Sequence, residues 1–343
     1  MKVLLVKTSS LGDLIHSFPA LNDAVTAIPG LSFDWVVEEA FMEVPSWSRH
    51  VDRVIPIALR RWRKSPWRAW RSGEWRAFVH NLQAREYDLV IDAQGLLKSA
   101  LVARKALGAK AGLDRDSARE PLASFFYQRR LPVPKGAHAI SRVRRLFALA
   151  LGYSAPEGEP EDYGIQREKF PTPQISRPYV LFLHGTTWRS KHYPEVQWLA
   201  LTRLAAQSGV EVLIPWGNDT EHARAVRLAE IDASVRVLPK QTLTELAGLI
   251  ANACGIIAVD TGLAHLASAF QTPQVVLFGP TQPGLTGVLG ANQKNLQAAG
   301  DCVPCMKHQC RHPESSNGEP VCFKVLSPEQ VWLQLTALMH SEH

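Results

Sequence analysis

Nowhere among the 343 residues does an apolar run approach the ~18 consecutive positions that a membrane-crossing helix needs. The opening residues, Met1-Lys2-Val3-Leu4-Leu5-Val6-Lys7, hold four apolar positions in a row. That is too short for a secretory hydrophobic region and reads as a buried strand, so a cytoplasmic protein is expected. Charge is not lopsided either: 38 Lys+Arg against 32 Asp+Glu leaves +6, far from the excess of a polycationic tail. The G-x-G-x-x-G of a dinucleotide site and the G-K-[ST] ending of a phosphate-binding P-loop are both missing, which argues against hydride transfer and P-loop chemistry. No zinc-finger, RRM or OB signature, internal repeat or low-complexity segment is found.

Cysteine is scarce, with five in the chain. Cys254 sits in a hydrophobic run as a buried thiol would. Cys302, Cys305, Cys310 and Cys322 share one polar segment with the spacing C-x2-C-x4-C-x11-C. That spacing admits a structural zinc with His308 or His312 in reserve, a redox-sensitive thiol cluster, or a plain reduced loop.

What is present is an alternation of short apolar runs and helical patterns. Strands are expected at 2–7, 32–37, 51–57 and 88–92, with helices at 13–28 and 96–107. After a stretch holding Pro156, Pro160, Pro171, Pro173 and Pro178 the pattern restarts. Strands at 179–183, 210–214, 255–259 and 274–278 alternate with helices at 194–207, 221–229, 243–251 and 263–269. Ser327-Pro328-Glu329 opens a last helix, with serine as cap and proline at the first position. Such alternation means α/β structure with parallel sheets: a domain over 1–152, a linker over 153–178, a second domain over 179–326 and a terminal helix over 327–343. Ligands of doubly wound sheets bind at the carboxyl ends of the strands, so a cleft between the domains, closing about the linker, is expected.

Three strand-end loops carry chemistry. In Lys7-Thr8-Ser9-Ser10-Leu11-Gly12-Asp13, Asp13 is either a helix-start residue favoured by the dipole or a general base. In the loop from His184 to Pro194, the hydroxyls of Thr186 and Thr187 and the ammonium of Lys191 suit a phosphate; the plainer reading is a capped turn. In Asp260-Thr261-Gly262-Leu263-Ala264-His265, the helix start faces a pyrophosphate and Asp260 is free to bond a sugar hydroxyl, whereas His265 taken singly reads as an ordinary helix residue. A fourth segment, Arg60-Arg61-Trp62-Arg63-Lys64 through Arg76, interleaves cations with tryptophan against Glu74 alone. It is a solvated face, or a surface for an acidic lipid or glycan rather than for nucleic acid.

Ser9-Ser10-Leu11-Gly12-Asp13-Leu14-Ile15-His16, Asp92-Ala93-Gln94-Gly95-Leu96, His184-Gly185-Thr186-Thr187 and Asp260-Thr261-Gly262-Leu263-Ala264-His265 together resemble the bacterial lipopolysaccharide heptosyltransferases. With the Arg60 run they resemble the type I branch, glycosyltransferase family 9, over nearly the whole chain. The resemblance implies a GT-B fold of two Rossmann-like domains, the N-terminal one for acceptor and the C-terminal one for ADP-heptose, with the terminal helix returning to the N-terminal domain. It implies an inverting transfer of L-glycero-D-manno-heptose to the first Kdo of Kdo-lipid A, with no required cofactor or metal, by a protein peripheral on the cytoplasmic face of the inner membrane. It implies Asp13 as base; Thr186, Thr187 and Lys191 on the donor phosphates, with Lys191 also catalytic; Glu221 on the ribose; and Asp260, Thr261, Gly262 and His265 completing the donor site. It implies Arg60, Arg61, Arg63 and Lys64 on the acceptor's anionic groups, joined by Arg119, His138 and Arg142. Gln241 stands where a methionine would pack on adenine. The type II branch, acting on an already heptosylated core, and a non-catalytic anionic-lipid or nucleic-acid binder are the alternatives.

Overall fold

A computed structural model describes residues 1–156, 158, 161–315 and 318–341. Pro160 of the expected linker and positions 342 and 343 of the expected terminal helix lie outside them. The chain divides into two compact units, Met1–Ile165 and Gln166–His343, so the boundary falls within 153–178.

The first unit runs β1 (Lys2–Val6), α1 (Leu11–Ile15), α2 (Phe18–Ala27), β2 (Ser32–Glu38), β3 (Val51–Ile57), α3 (Leu59–Lys64), α4 (Pro66–Arg71), α5 (Glu74–Leu82), β4 (Glu86–Asp92), α6 (Leu97–Lys105), β5 (Leu107–Leu113), β6 (Arg129–Leu131) and α7 (Ala139–Leu151). All its strand pairs are parallel, in the order β3-β2-β1-β4-β5-β6. The near-continuous apolar β1 is buried from Val3 to Val6, as a strand covered on both faces must be. The single helix expected over 13–28 is two: Pro19 falls in the first turn of α2, behind Ser17, so the chain starts a new helix there.

The second unit runs β7 (Tyr179–Leu183), α8 (Glu195–Gln207), β8 (Glu211–Ile214), α9 (Asp219–Ala229), β9 (Val235–Val237), α10 (Leu243–Asn252), β10 (Gly255–Val259), α11 (Gly262–Ala269), β11 (Gln274–Phe278), α12 (Pro283–Thr286), β12 (Gln293–Gln297) and α13 (Pro328–His340). Its parallel sheet has the order β12-β11-β10-β7-β8-β9. Counted from each unit's own first strand, both sheets read 3-2-1-4-5-6, the Rossmann order. The strand order reverses between β1 and β4 in one and between β7 and β10 in the other. Loops leaving the carboxyl ends of those four strands are therefore where a ligand is expected, and all three chemical loops of the sequence emerge there.

The terminal helix begins as read, with Ser327 Oγ accepting the Gln330 N–H at 3.2 Å and Pro328 in the first turn. One face of it packs within its own unit. Val331 and Leu335 are fully buried in the second unit's core, and α13 lies on α8, β10 and β11. Burying two such side chains gains roughly 1.5–3 kcal/mol each, which commits this face of the helix to its own unit.

Candidate active site

In the first unit, Asp13 occupies the third position of α1. Its Oδ2 accepts the Ser10 backbone N–H at 2.7 Å and the Ser10 hydroxyl at 2.8 Å. The helix-start role of Asp13 is thus real, but it leaves the side chain 43% exposed. Lys7, buried at the end of β1, holds its ammonium 3.6 Å from Asp13 Oδ1 and donates to the Ala93 carbonyl at 2.9 Å. Gln94 fixes the same loop: its Oε1 accepts the N–H groups of Thr8 (3.0 Å) and Ser9 (3.3 Å). The turn holding Gln94 is set by buried Asp92, which accepts the Gln94 N–H at 2.8 Å and the Tyr127 hydroxyl at 2.7 Å. Burial pushes the Asp92 carboxyl up despite these donors. The result is an exposed carboxylate on a loop pinned from both sides, which suits a base whose position matters. Buried His16 follows on the same turn, its ring 6.0 Å from that of His138, so α1 and the start of α7 meet there.

In the second unit, the loop after β7 and the start of α11 converge on Asp260. Lys191 Nζ lies 2.7 Å from Asp260 Oδ2, the Thr281 hydroxyl donates to the same oxygen at 2.6 Å, and the Thr186 hydroxyl donates to the Asp260 carbonyl at 3.0 Å. Asp260 is 6% exposed; through Oδ2 its carboxylate holds Lys191 and Thr281, and its carbonyl ties Thr186 to the start of α11. Thr261 stands at the N-cap position of α11, whose first turn begins at Gly262; Thr187, next to Thr186 in sequence, is exposed, while His265 is buried. Glu221 accepts the Gly217 N–H at 2.7 Å, and a Cβ on Gly185 would come within 2.7 Å of its carboxyl carbon. Glycine at 185 is what lets the loop pass this close to α9. Gln241 folds its amide onto the Pro239 carbonyl at 3.0 Å.

Behind this loop lies a group the sequence did not signal. Arg224 donates to Nδ1 of His192 at 3.1 Å and approaches Nδ1 of His184 at 3.4 Å, with Glu195 3.8 Å away. Arginine only donates, so both Nδ1 atoms accept and both imidazoles are neutral with the proton on Nε2. Burial first, then the Arg224 charge, pulls His184 down to about 3 and His192 to about 4.

The basic segment divides. Arg61 pairs with Glu39 at 3.1 Å and Glu74 at 2.7 Å, and the Trp62 indole donates to Glu74 at 2.7 Å. These bonds raise Arg61 and lower Glu74 from their ordinary values. Arg61 is therefore paired with two carboxylates of its own unit while its side chain stays 54% exposed. Arg142 is likewise committed, to the Ser117 carbonyl at 2.8 Å and the Pro134 carbonyl at 3.1 Å, and burial lowers its affinity for its proton. Arg60 lies over the Phe41 ring at 5.1 Å, and His138 caps α7 by accepting the Ile140 N–H. Arg63, Lys64 and Arg119 are exposed.

All five cysteines are free thiols, and among the described residues no three His, Cys, Asp or Glu side chains are arranged to hold a metal ion. Burial, then the neighbouring Cys302, Cys310 and Cys305, pushes the Cys322 thiol up to about 11. Burial opposes, but donors from His312, Val321 and Ser315 outweigh it and lower Cys310.

The profile of glycosyltransferase family 9 (heptosyltransferase) matches residues 75–315. The chain belongs to this family. Lipopolysaccharide heptosyltransferase 1 of Pseudomonas aeruginosa is 50% identical over 99% of this chain and 98% of its own length. The structure of Escherichia coli heptosyltransferase WaaC with ADP superposes with a TM-score of 0.83 at 51% identity, covering 88% of this chain and 94% of that one. The same enzyme with ADP-2-deoxy-2-fluoro heptose gives 0.81 at 49% identity over the same shares. Lipopolysaccharide heptosyltransferase 2 of Escherichia coli is far more distant, 25% identical over 48% of this chain. As a family 9 glycosyltransferase of two Rossmann-like units, the chain has the expected GT-B architecture.

Proposed function

We propose that this glycosyltransferase moves L-glycero-D-manno-heptose from ADP-heptose to the first Kdo of Kdo-lipid A, working at the cytoplasmic face of the inner membrane. The observation that carries the reading is the contrast at the two switch points: an exposed, pinned carboxylate in one unit, and a lysine, two threonines and a helix start in the other. The first set suits proton removal; the second suits a diphosphate. Sequence identity of 50% with a type 1 enzyme over 99% of the chain, against 25% with a type 2 enzyme over 48% of it, supports the first Kdo as acceptor.

The steps balance as an inverting displacement. The acceptor hydroxyl oxygen forms a bond to the anomeric carbon through an oxocarbenium-like transition state while its proton passes to Asp13. The bond from that carbon to the diphosphate oxygen breaks, and its electron pair leaves with ADP. Charge growing on the diphosphate meets the Lys191 ammonium and the first-turn N–H groups of α11, supplying the neutralisation without a required cofactor or metal. Asp260 and Thr281 hold Lys191; Glu221, beside Gly185, is the group for the ribose hydroxyls.

Purified protein given ADP-heptose with Kdo-lipid A, and separately with heptosyl-Kdo-lipid A, tests the reading. ADP release and a mass gain of one heptose on the first acceptor are expected. Preference for the second acceptor makes the enzyme type II, and transfer to neither overturns the substrate assignment.

A further inference from the structure

The two large apolar side chains standing furthest from the protein on the basic segment are Trp67, 70% exposed, and Trp70, 59% exposed. Both belong to α4, where each residue advances about 100° around the axis. On that wheel Trp70, Trp67, Arg71 and Arg68 follow one another over one arc, opposite Ala69, the residue of this helix that is buried. The indoles stack on each other, centroids 5.2 Å apart at 28°, rather than folding inward as Trp62 and Trp75 do against Phe78. Arg63, Lys64, Arg68 and Arg71 form no ion pair among the described residues; the acids of this region, Glu39 and Glu74, are taken by Arg61.

We propose that α4 is a membrane-docking element, its Trp67–Trp70 pair entering the headgroup boundary of an anionic bilayer while Arg68 and Arg71 pair with lipid phosphates. Indoles favour that boundary because one face of the ring is apolar and the N–H is wet. Unpaired arginines beside them complement a negative surface, and each contributes about a factor of five in partitioning. Nucleic acid is the weaker occupant: the indoles cover one another instead of presenting two open faces to bases. No helix of the described residues is long and apolar enough to cross a membrane, so a lipid-linked acceptor has to be met from the surface. This last point rests on the proposed acceptor; the helix geometry does not.

Flotation of the full chain with vesicles free of any acceptor tests it. Phosphatidylcholine–phosphatidylglycerol vesicles are expected to bind at least tenfold more protein than phosphatidylcholine alone, with a blue shift of tryptophan emission. Trp67→Ala/Trp70→Ala should lose about tenfold and Arg68→Gln/Arg71→Gln about twenty-five-fold, the latter defect vanishing in high salt, while transfer to a water-soluble acceptor fragment is unchanged. Equal binding to both vesicles, or wild-type flotation of the Trp double variant with its circular dichroism intact, overturns the proposal. So does loss of single-stranded oligonucleotide binding in that variant without loss of vesicle binding. Failure of transfer with normal flotation would instead overturn the substrate assignment.

A second observation, in the other unit, concerns the cysteine-bearing segment. Its His308 ring stacks on Trp188 at 3.8 Å and 22°, and its backbone carbonyls at Lys307 and His308 accept from the hydroxyl and N–H of Ser190. The Lys191 ammonium lies 4.6 Å from the centre of the same Trp188 ring. We infer that His308 is a positioning residue, holding Trp188 so that its ring and Asp260 together fix Lys191. The inference builds on Lys191 as the diphosphate contact. Titration with ADP separates the two: His308→Ala should raise the ADP Kd about three- to tenfold, as expected for losing an oriented cation–π contact, and His308→Phe should restore it. The acceptor KM should not move. Wild-type ADP affinity in His308→Ala, or no rescue by phenylalanine, overturns the inference; wild-type affinity in Lys191→Met overturns the diphosphate assignment itself.

Discussion

Each unit carries a lysine–aspartate pair at its switch point, and the two are built in opposite ways. In the first, the lysine is buried and the aspartate reaches solvent: Lys7 holds Asp13 at 3.6 Å while 43% of the carboxylate side chain stays accessible. In the second, both partners are drawn in, Asp260 to 6% and Lys191 to 16%, at 2.7 Å, with the Thr281 hydroxyl donating to the same carboxylate oxygen. An accessible carboxylate can take a proton from a substrate. A buried one bonded to an ammonium and a hydroxyl instead holds its partner still, and the partner meets the ligand. In the proposed mechanism the same two residue types therefore serve as base in one loop and as scaffold in the other, and burial decides which.

The sharpest way to break this comparison is Asp13→Asn. Transfer should fall about 10²–10⁴-fold, the range for removing a positioned base, with little change in melting temperature. Steady-state kinetics check it, and near-wild-type turnover would reduce Asp13 to the helix-start residue it also is.

Lys191→Met should look different. It strands the Asp260 carboxylate in a buried site with Thr281 alone, a loss of about 3–5 kcal/mol seen as a clear drop in melting temperature. ADP affinity should fall by one to two decades, the worth of a charge-assisted bond to phosphate. Calorimetric melts and ADP titration measure the two effects; a variant that melts normally would remove Asp260 from its scaffold role.

Acid should act on the second unit through its buried histidines. His184 and His192 are held near 3 and 4, below the ordinary value of about 6.5, so the unfolded chain binds more protons between those limits. Their contribution is intact above about pH 6.5 and is lost as pH falls toward 4, amounting to a few kcal/mol. Denaturant midpoints across that range should fall in the wild type and flatten in His184→Gln/His192→Gln. A wild-type midpoint that does not move over that window contradicts the buried neutral assignment.

The smallest effects distinguish the two halves of the basic segment. Arg63→Gln/Lys64→Gln should raise the acceptor KM about tenfold at low ionic strength, less when salt shortens the Debye length below ~8 Å, without a change in melting temperature. Arg61→Gln, cutting an internal pair, should lower the melting temperature slightly. Kinetics at two salt concentrations and a melt for each variant give the answer; an acceptor KM that ignores Arg63 and Lys64 would leave this run a solvated face.

Legibility in the sequence followed the range of the interactions. Tyr179–Leu183, Gly255–Val259 and Gln274–Phe278 read correctly to the residue, because a strand buried on both faces is a compact apolar run between turn residues; the edge strand Val51–Ile57 also read correctly, although only Ile55 and Ile57 of it are buried. Arg129–Leu131, Val235–Val237 and Gln293–Gln297, at or beside the sheet edges, escaped notice: short, polar strands carry no such pattern. Leu107–Leu113 was hidden because its glycines and Lys110 break the run. At the site, Asp13, Lys191 and the 260–265 loop stood out through their place after apolar strands. What stayed hidden was pairing at a distance: Thr281 on Asp260, Glu39 on Arg61, Gln94 on the Thr8–Ser9 turn and His308 on Trp188 join positions 21 to 120 residues apart.

The division of labour between the two pairs is tested most directly by titrating ADP into Asp13→Asn. The account predicts the wild-type ADP Kd, because the carboxylate that takes the proton does not hold the donor. A Kd weakened by a decade or more, as for Lys191→Met, would place Asp13 in the donor site and contradict it.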